Sequence, residues 1–430
     1  MKQIIKSSSF KSKLALSLIV SMFASTFVGC ATNNNGTGTQ GKGLKLGALL
    51  PTTGDLSSIG QNMPLAVQLA VDTINACGGV NDNPVTVITE DTQTDPIAGS
   101  SAITKLTEVD NVAGVVGAFA SSVSTAALDV AVRNRVMLIS PGSTSPVFTQ
   151  NAAKGDYKGF WARTAPPDTY QARALAALAY KQGFRKVSTV AINNDYGVAF
   201  ERQFVAAFEK LGGKVINKNK PVRYDPKAAT LDSEAKATFN GNPEAVAAIL
   251  YAETGTILLK SAFQQGLMEN VTLLLTDGVY SEDFTKQLGK DSSGKSIIAG
   301  ALGTVPGADG KALADFSKLW QEKTGKEITA YVPHTWDATI LLMLAAEAAD
   351  ENTGEGIKNK IREVANAPGE EVTDPCTAIQ LIREGKDINY QGASGNVDID
   401  ENGDVVGNYD VWIVNEDGSL EIIDKVSPAL

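Results

Sequence analysis

Short apolar runs alternate with longer segments of helical period along most of the chain. The first runs, bounded by Gly, Pro and Asp or rich in β-branched residues as strands are, cover 44–51, 85–91, 112–119 and 136–141. The segments between them, 62–77, 95–109 and 122–134, carry apolar residues at the three- and four-residue spacing of amphipathic helices. Repetition of strand, helix and strand predicts a parallel sheet covered by helices.

The same rhythm restarts after "RTAPPD" (163–168). Strand candidates at 186–192, 245–252, 271–278 and 297–306 again alternate with helical patterns, and the chain turns mainly helical from 308 to 385. Two doubly wound α/β units are therefore predicted, because about 400 residues exceed what one core usually serves. Near the end, "GNVDIDENGDVVGNYDVWIV" predicts two strands around the turn Asn402-Gly403.

The N-terminal region has the pattern of an export signal. Four lysines precede the apolar stretch 14–28, which is too short to cross a bilayer as a stable helix. The stretch ends in "FVGC", which resembles the lipobox of bacterial lipoproteins, so we expect a signal peptide over 1–29 and lipidation of Cys30; ordinary signal cleavage nearby is the alternative. The polar, Gly-rich residues 30–43 predict a flexible linker. The body is therefore expected outside the cytoplasm, attached to a membrane only through its N-terminal lipid.

The charge of the chain narrows the class of partner. The formal charge of −10 becomes −14 once the four lysines of residues 1–29 are set aside. Such an acidic body argues against nucleic acid or an anionic lipid surface as the main partner. Cys77 and Cys376 are the remaining cysteines, and an oxidising compartment favours a disulfide between them over two buried free thiols.

Residues for catalysis or for metal and cofactor binding are scarce. The single histidine, His334, precedes an apolar helical pattern and is expected to pack or cap there, so no Ser/His/Asp or Cys/His arrangement can activate a nucleophile. The letters of two phosphate-binding motifs occur in the sequence, "GKDSSGKS" at 289–296 and "GTGTQG" at 36–41. Neither follows a predicted strand and opens a predicted helix, which is the context that a phosphate cradle requires. Asp398, Asp400 and Asn402 are spaced like the start of a calcium loop, but Tyr409 occupies the twelfth position where a Glu is needed. We therefore predict no enzyme, no metal and no cofactor.

Polar residues at predicted strand ends indicate a ligand site, because ligands of open α/β sheets bind beyond the carboxyl ends of the strands. Ser121 ends one strand and opens a helix whose free amides favour an anion. The next strand leads to the Gly142 carbonyl and the Thr144 hydroxyl, while Asp277 follows a strand of the second unit and Asp168 opens a helix. Such a set can clamp a zwitterion. The alternative is that each residue is only a helix cap or turn residue.

Several motifs carry a resemblance to a known family. They are the segment 44–96, beginning "LKLGALLPTTGDLSSIGQNM", then "VVGAFASS", "LISPGSTSP", "RTAPPD", "NNDYG" and "TDGVYSEDF", in that order. Together they resemble the branched-chain amino acid binding proteins, extracytoplasmic receptors that deliver amino acids to ABC importers. The similarity covers about 44 to 420.

The resemblance implies a type I periplasmic binding protein fold, with two lobes joined by three hinge crossings near 165–168, 303–307 and 404–409. Lobe 1 is then expected to hold 43–166 and 306–405, and lobe 2 to hold 167–305 and 406–430. Both cysteines then belong to lobe 1, and a monomer is expected.

The resemblance also implies roles for individual residues. Ser121 matches the serine that binds the ligand carboxylate. Gly142 and Thr144 match a strand-end loop in which a carbonyl accepts a hydrogen bond from the ligand ammonium and a hydroxyl and an amide assist. Asp277, with Gly278 beside it, matches the acidic residue that pairs with the ammonium. Tyr196 matches an aromatic residue that closes over the ligand, and Asp168 matches an acidic residue at the hinge. Tyr251 matches a further ligand contact, and Ile59 stands where many relatives carry an aromatic residue near the ligand side chain.

The expected function is capture of a free neutral L-amino acid, aliphatic ones included, for delivery to the permease subunits of an ABC importer. Two alternatives remain: a sensory ligand-binding protein, and a receptor for urea or short amides on the same fold.

Overall fold

The computed structural model describes residues 43–427. Its strands are β1 Lys45–Leu50, β2 Thr86–Asp91, β3 Gly114–Gly117, β4 Met137–Ser140, β5 Trp161–Arg163, β6 Lys186–Ile192, β7 Lys214–Val215, β8 Val222–Tyr224, β9 Ala245–Ile249, β10 Thr272–Leu275, β11 Leu302–Pro306, β12 Glu370–Val372, β13 Ile388–Tyr390, β14 Tyr409–Val414 and β15 Leu420–Val426. Its α-helices are α1 Ser57–Gly60, α2 Met63–Ala76, α3 Pro96–Thr104, α4 Ser121–Arg133, α5 Val147–Ala153, α6 Asp168–Lys181, α7 Asp195–Lys210, α8 Asp232–Thr238, α9 Ala252–Gln264, α10 Glu282–Leu288, α11 Leu313–Thr324, α12 Val332–Ala349, α13 Gly354–Ala365 and α14 Pro375–Arg383. A π-helical turn, Lys105–Val109, extends α3, and a 3₁₀ turn covers Asp277–Val279.

The predicted signal peptide (1–29), Cys30 and the predicted linker up to residue 42 lie outside the described residues. Between residues 43 and 427, no helix combines the length and the apolar character that crossing a bilayer requires.

The first sheet, sheet I, has the strand order β2-β1-β3-β4-β5, and all of its neighbouring pairs are parallel. Strands β3 and β4 are buried along their whole length because helices cover the sheet, as parallel sheets require. Helix α12, which is buried along most of its length, packs against α2, β3 and β4.

The second sheet, sheet II, has the order β15-β14-β11-β10-β9-β6-β7, with β8 also paired to β6. Its pairs are parallel except at one edge, where β14 runs antiparallel to both β11 and β15. A parallel pair, β12 and β13, forms a small separate sheet. The prediction of two doubly wound α/β units is confirmed by this topology.

The chain passes between the sheets at three places within the described range. It leaves sheet I after β5 and enters α6, leaves sheet II after β11, and returns to sheet II at β14. The sulfur atoms of Cys77 and Cys376 are joined in a disulfide, with 5.6 Å between the Cα atoms.

The hairpin predicted around Asn402-Gly403 is wrong. Residues 397–408 form no strand, and the terminal hairpin is β14–β15, which turns at Asp417-Gly418. Two long-range contacts explain the difference: the Gly403 carbonyl accepts a hydrogen bond of 2.9 Å from the Arg163 amide, and the Asp404 carboxylate forms an ion pair of 2.7 Å with the Arg163 guanidinium. These contacts hold the turn against β5, so its flanks do not pair.

Candidate ligand-binding site

Ser121 is the first residue of α4 and is buried. Its Oγ accepts a hydrogen bond of 3.3 Å from the Ser145 amide, which links the start of the helix to the loop that follows β4. Neither Ser121 nor Ser122 caps the helix, because the N-cap position belongs to Ala120 and no side chain bonds the first amides. The capping alternative is therefore wrong for Ser121. The first turn of α4 keeps free amides that favour an anion.

The loop over residues 141–146 brings together Gly142 and Thr144. Gly142 lies against the ring of Phe119, so close that an added Cβ would come within 2.0 Å of a ring carbon. Thr144 contacts the start of α6, because its carbonyl accepts a hydrogen bond of 2.8 Å from the Asp168 amide. Its hydroxyl is buried and has no hydrogen-bond partner among the described residues.

Arg163, at the end of β5, fixes the shape of this loop. Its Nη1 donates to the carbonyls of Ser143 (2.9 Å) and Ser145 (3.0 Å). Its other nitrogens bind the Asp404 carboxylate and the Thr149 hydroxyl. The Arg163 guanidinium and the Asp404 carboxylate are both buried. Since Asp404 lies in the segment before β14, this ion pair ties the loop to the third passage of the chain between the sheets.

Asp277 follows β10 and is surrounded by hydrogen-bond donors. Gln171 donates to its Oδ1 (2.9 Å), the Tyr196 hydroxyl lies 2.9 Å from the same atom, and the Tyr331 hydroxyl donates to Oδ2 (2.7 Å). Burial raises the pKa of Asp277, and these hydrogen bonds lower it in part. Since Tyr331 precedes α12, which packs on sheet I, this contact bridges the two sheets' units.

Asp168, the first residue of α6, is fully buried, and neither of its carboxylate oxygens has a hydrogen-bond partner within the described part of the chain. Burial raises its pKa well above the usual value of 3.8, and the charge of Asp277 raises it further. Two weaker effects lower it in part: the Thr144 hydroxyl, which approaches the carboxylate without reaching full hydrogen-bond geometry, and the charge of Arg163. The Arg163 guanidinium is itself bound to Asp404, so within the described residues no positively charged group forms an ion pair with Asp168.

Aromatic rings form one wall of the same region. Tyr196 and Tyr251 are stacked with 5.5 Å between their ring centroids, and both are buried. Gly278 lies under Tyr251, where an added Cβ would come 2.3 Å from the Leu250 carbonyl oxygen. Burial raises the pKa of both tyrosines well above 10, so they present neutral hydroxyls at neutral pH.

The predicted residues thus fall into two connected sets. Ser121, Gly142 and Thr144 surround the amides of α4 and of the loop after β4, and the Thr144–Asp168 backbone contact joins them to the carboxylates. One set offers hydroxyls and amides, which bind an anion, and the other offers two carboxylates, which bind a cation. Ile59 is buried in α1, beyond the contacts described above.

The sequence analysis missed Arg163, Gln171 and Tyr331. Arg163 stands in the quoted motif "RTAPPD", so the motif itself pointed to it. The contacts of Gln171 and Tyr331 depend on long-range packing, and the positive φ of Tyr331 (66°) has no sequence signal. His334 is buried as expected, and burial lowers its pKa to about 3, so the imidazole is neutral.

Comparisons with known proteins identify the family of the chain. The family model described as receptor family ligand binding region matches residues 62–417. Two curated relatives are the chemotactic signal transduction system substrate-binding protein BasB of Halobacterium salinarum, 25% identical over 84% of this chain and 84% of BasB, and the Leu/Ile/Val-binding protein homolog 2 of Brucella abortus, 28% identical over 73% of this chain and 81% of that protein.

Among solved structures, the leucine binding protein LivK of Thermotoga maritima is similar, with a TM-score of 0.74, 26% identity, and coverage of 90% of this chain and 99% of LivK. The relatives named here are binding proteins. The chain belongs to the family of the receptor family ligand binding region and is of the branched-chain amino acid binding protein type.

Proposed function

We propose that this protein is an extracytoplasmic solute receptor of an ABC importer that captures a free neutral L-amino acid between two closing lobes. The lobes are those expected from the sequence, 43–166 with 306–405 and 167–305 with 406–430. The protein acts as a monomer, lipidated at Cys30, and its closed form docks on the permease subunits.

One observation carries the proposal: Asp168 and Asp277 lie in a single buried cluster, and both oxygens of Asp168 are without a hydrogen-bond partner among the described residues. A ligand ammonium supplies the missing positive charge. Charge-assisted hydrogen bonds of this kind are stronger than neutral ones, and more so where water is excluded.

The other end of the ligand is assigned to Ser121 and the loop after β4. In this assignment, the ligand carboxylate accepts from the Ser121 hydroxyl and from free amides of the first turn of α4, with Thr144 assisting. The Gly142 carbonyl accepts from the ammonium. Tyr196, Tyr251 and Gly278 close over the ligand from the sheet II side.

Calorimetry on L-leucine and two analogues that each lack one of its charged groups tests the assignment. L-leucine carries both charged groups, 4-methylpentanoate lacks the ammonium, and isopentylamine lacks the carboxylate. We expect L-leucine, L-isoleucine or L-valine to bind and 4-methylpentanoate to bind at least about 100-fold more weakly, because a buried charge pair is lost. Equal binding of the amino acid and its deaminated analogue contradicts the proposal, as does binding to none of the twenty amino acids.

A second function, ligand sensing, is favoured by one comparison: BasB is named as a substrate-binding protein of a chemotactic signal transduction system. Both functions use the same closed state and differ only in the membrane partner. Co-purification of the ligand-bound protein with permease subunits supports import, and co-purification with a membrane signalling protein supports sensing. Urea and short amides fit less well, because they bring no positive charge to the Asp168 and Asp277 pair.

Lipidation has a separate test. Metabolic labelling with a palmitate analogue in a bacterial host is expected to mark the full chain and to fail for Cys30→Ala. Label retained by the Cys30→Ala protein contradicts this assignment.

A further inference from the structure

Asp55 forms an unusual contact between the units of the two sheets. It lies in the segment after β1 of sheet I, yet its side chain contacts α9, which follows β9 of sheet II. The Thr254 amide donates to Oδ1 (2.8 Å) and the Thr254 hydroxyl to Oδ2 (2.7 Å). The Glu253 amide approaches the Asp55 carbonyl at 3.4 Å.

Helix α9 depends on this contact for its N-terminal cap. Its N-cap residue is Tyr251, and no side chain at that position bonds the first amides. Free amides at a helix start are stabilised by a carboxylate, which also interacts favourably with the helix dipole. Asp55 therefore does for α9 what an N-cap aspartate does within one segment, but it reaches across from the other unit.

The cap is connected to the candidate ligand site. The Thr254 hydroxyl lies 3.2 Å from the Tyr224 hydroxyl, which in turn accepts a hydrogen bond of 3.3 Å from the Tyr251 amide. Tyr251 stacks on Tyr196, and the Tyr196 hydroxyl contacts Asp277. Asp55 is thus connected to Tyr251, the ring over the ligand in the proposed function, through Thr254 and Tyr224.

We propose that Asp55 is a closure latch, whose bond to the start of α9 stabilises the closed form and so raises ligand affinity without contact to the ligand. The proposal rests on the proposed function, in which the two units close around a ligand. When the units separate, α9 loses its cap and Asp55 loses both partners. The apparent affinity falls in proportion to the closed fraction, so the latch contributes to it directly.

Two other contacts between the units, from the Tyr331 hydroxyl to Asp277 (2.7 Å) and from the Ser145 hydroxyl to the Asp195 carbonyl (2.9 Å), lie in or beside the candidate ligand site, so their removal does not separate closure from ligand contact. The remaining contacts considered are weaker candidates. The Gln61 amide donates to Asp283 (3.3 Å), and Lys227 pairs with Asp95 (3.0 Å), but both pairs are exposed. Exposed pairs contribute little because water and salt screen them. Asp55 is only partly exposed, and Thr254 is buried.

Two measurements on the full chain test the latch, with Asp55→Ala as the variant and Asp91→Ala as the matched control. Asp91 also accepts from backbone amides and from a threonine hydroxyl, but its three amides and one hydroxyl belong to Thr52, Thr53 and Gln93 of its own unit. The first measurement is hydrogen exchange of the Thr254 amide in protein without added ligand. The second is the affinity and dissociation rate of L-leucine.

We expect the Thr254 amide to exchange about tenfold faster in Asp55→Ala, and at the wild-type rate in Asp91→Ala. For L-leucine, we expect the Kd of Asp55→Ala to rise about tenfold through a faster dissociation rate, with little change in association. Asp55→Asn, which keeps one acceptor oxygen, is expected to fall between wild type and Asp55→Ala.

Equal exchange in wild type and Asp55→Ala overturns the latch, whatever the ligand is. Faster exchange with an unchanged Kd overturns its role in affinity and leaves the proposed function intact. Failure of the wild type to bind any amino acid contradicts the proposed function, while the exchange measurement still decides whether the latch forms.

Discussion

The two buried carboxylates of the candidate site have opposite surroundings. Asp277 is held by donors from three separate elements, whereas Asp168 has no hydrogen-bond partner for either oxygen among the described residues. Both are buried to a similar degree, so burial does not explain the difference. Asp277 is therefore held in place by the fold, whereas under the proposed function Asp168 is the carboxylate that a ligand ammonium partners.

The largest effect is expected from Asp168→Asn. This substitution removes the unpartnered carboxylate from the ligand site, so the binding free energy of the amino acid should weaken by about 3 kcal/mol, or roughly 100-fold in affinity. The ligand-free protein should become more stable, because a neutral amide costs less to bury than an unpaired carboxylate. Calorimetry and thermal unfolding at neutral pH measure the two effects.

Asp195→Asn is the control, since it makes the same chemical change at an exposed residue beside Tyr196. A loss of both affinity and stability in Asp168→Asn contradicts the assignment, because it indicates that the carboxylate is a structural group of the fold.

Asp277→Asn should behave differently. Here the charged acceptor of three donors is lost, so the free energy of unfolding should fall by about 1–3 kcal/mol, and affinity should fall as well. Chemical denaturation without ligand measures the first effect. An unfolding free energy equal to that of the wild type is incompatible with the hydrogen bonds to Gln171, Tyr196 and Tyr331.

Ser121→Ala tests the opposite end of the ligand. One hydrogen bond to a charged group disappears, so affinity should fall by about 1.5–3 kcal/mol with little change in stability. Calorimetry measures the loss, and Ser122→Ala is the control one residue along the same helix. Equal losses in the two variants point to a general effect on α4 rather than to contact with the ligand.

Ligand binding is expected to change the protonation state of Asp168. The folded-state pKa of Asp168 is raised, so its contribution to stability is full below the usual value of 3.8 and is lost as the pH rises through the raised pKa. A ligand ammonium favours the ionised form of Asp168, so at a pH below the raised pKa, ligand binding should release a proton from Asp168. The affinity for the ligand should therefore rise with pH and level off above that pKa. Asp168 and Asp277 are close enough to titrate as a pair.

Titrations in two buffers of different ionisation enthalpy count the released protons. The groups facing the pair are Arg163, Tyr196, Tyr331 and Tyr409, and burial raises the pKa of each of these three tyrosines, so they stay neutral in this range. Proton release that persists in Asp168→Asn at the wild-type level assigns the effect to another group.

The smallest effect is expected from Tyr331→Phe. It removes one neutral donor from Asp277 and leaves the ring, so the ligand-free protein should lose about 1 kcal/mol of stability. Denaturation measures the loss, and Tyr280→Phe, at a tyrosine that packs on Trp412, is the control. No loss relative to the control indicates that the hydroxyl contributes nothing to holding Asp277.

Sequence patterns predicted the fold because strand and helix periods are local. Strands β1 to β4 appear where β-branched runs end at Gly, Pro or Asp, and the second unit restarts at "RTAPPD" as expected. The Asn402-Gly403 hairpin failed because its partner is Arg163, a residue far away in the sequence. Local turn chemistry does not reveal such a contact.

The candidate site was predictable to the same extent. Ser121, Thr144 and Asp277 stand at strand ends, where the sheet topology brings residues together, so their positions follow from the strand pattern. The contrast between Asp277 and Asp168 does not, because it depends on side chains from α6, α7 and the segment before α12. Only the assembled structure reveals which carboxylate is already partnered.

A crystal structure of the protein with a bound amino acid tests the central claim most directly. We expect the ammonium nitrogen within about 3 Å of an Asp168 oxygen, near Asp277, with the ligand carboxylate at Ser121 and the start of α4. A ligand bound in the reverse orientation, or one that leaves Asp168 without a positively charged partner, contradicts the account.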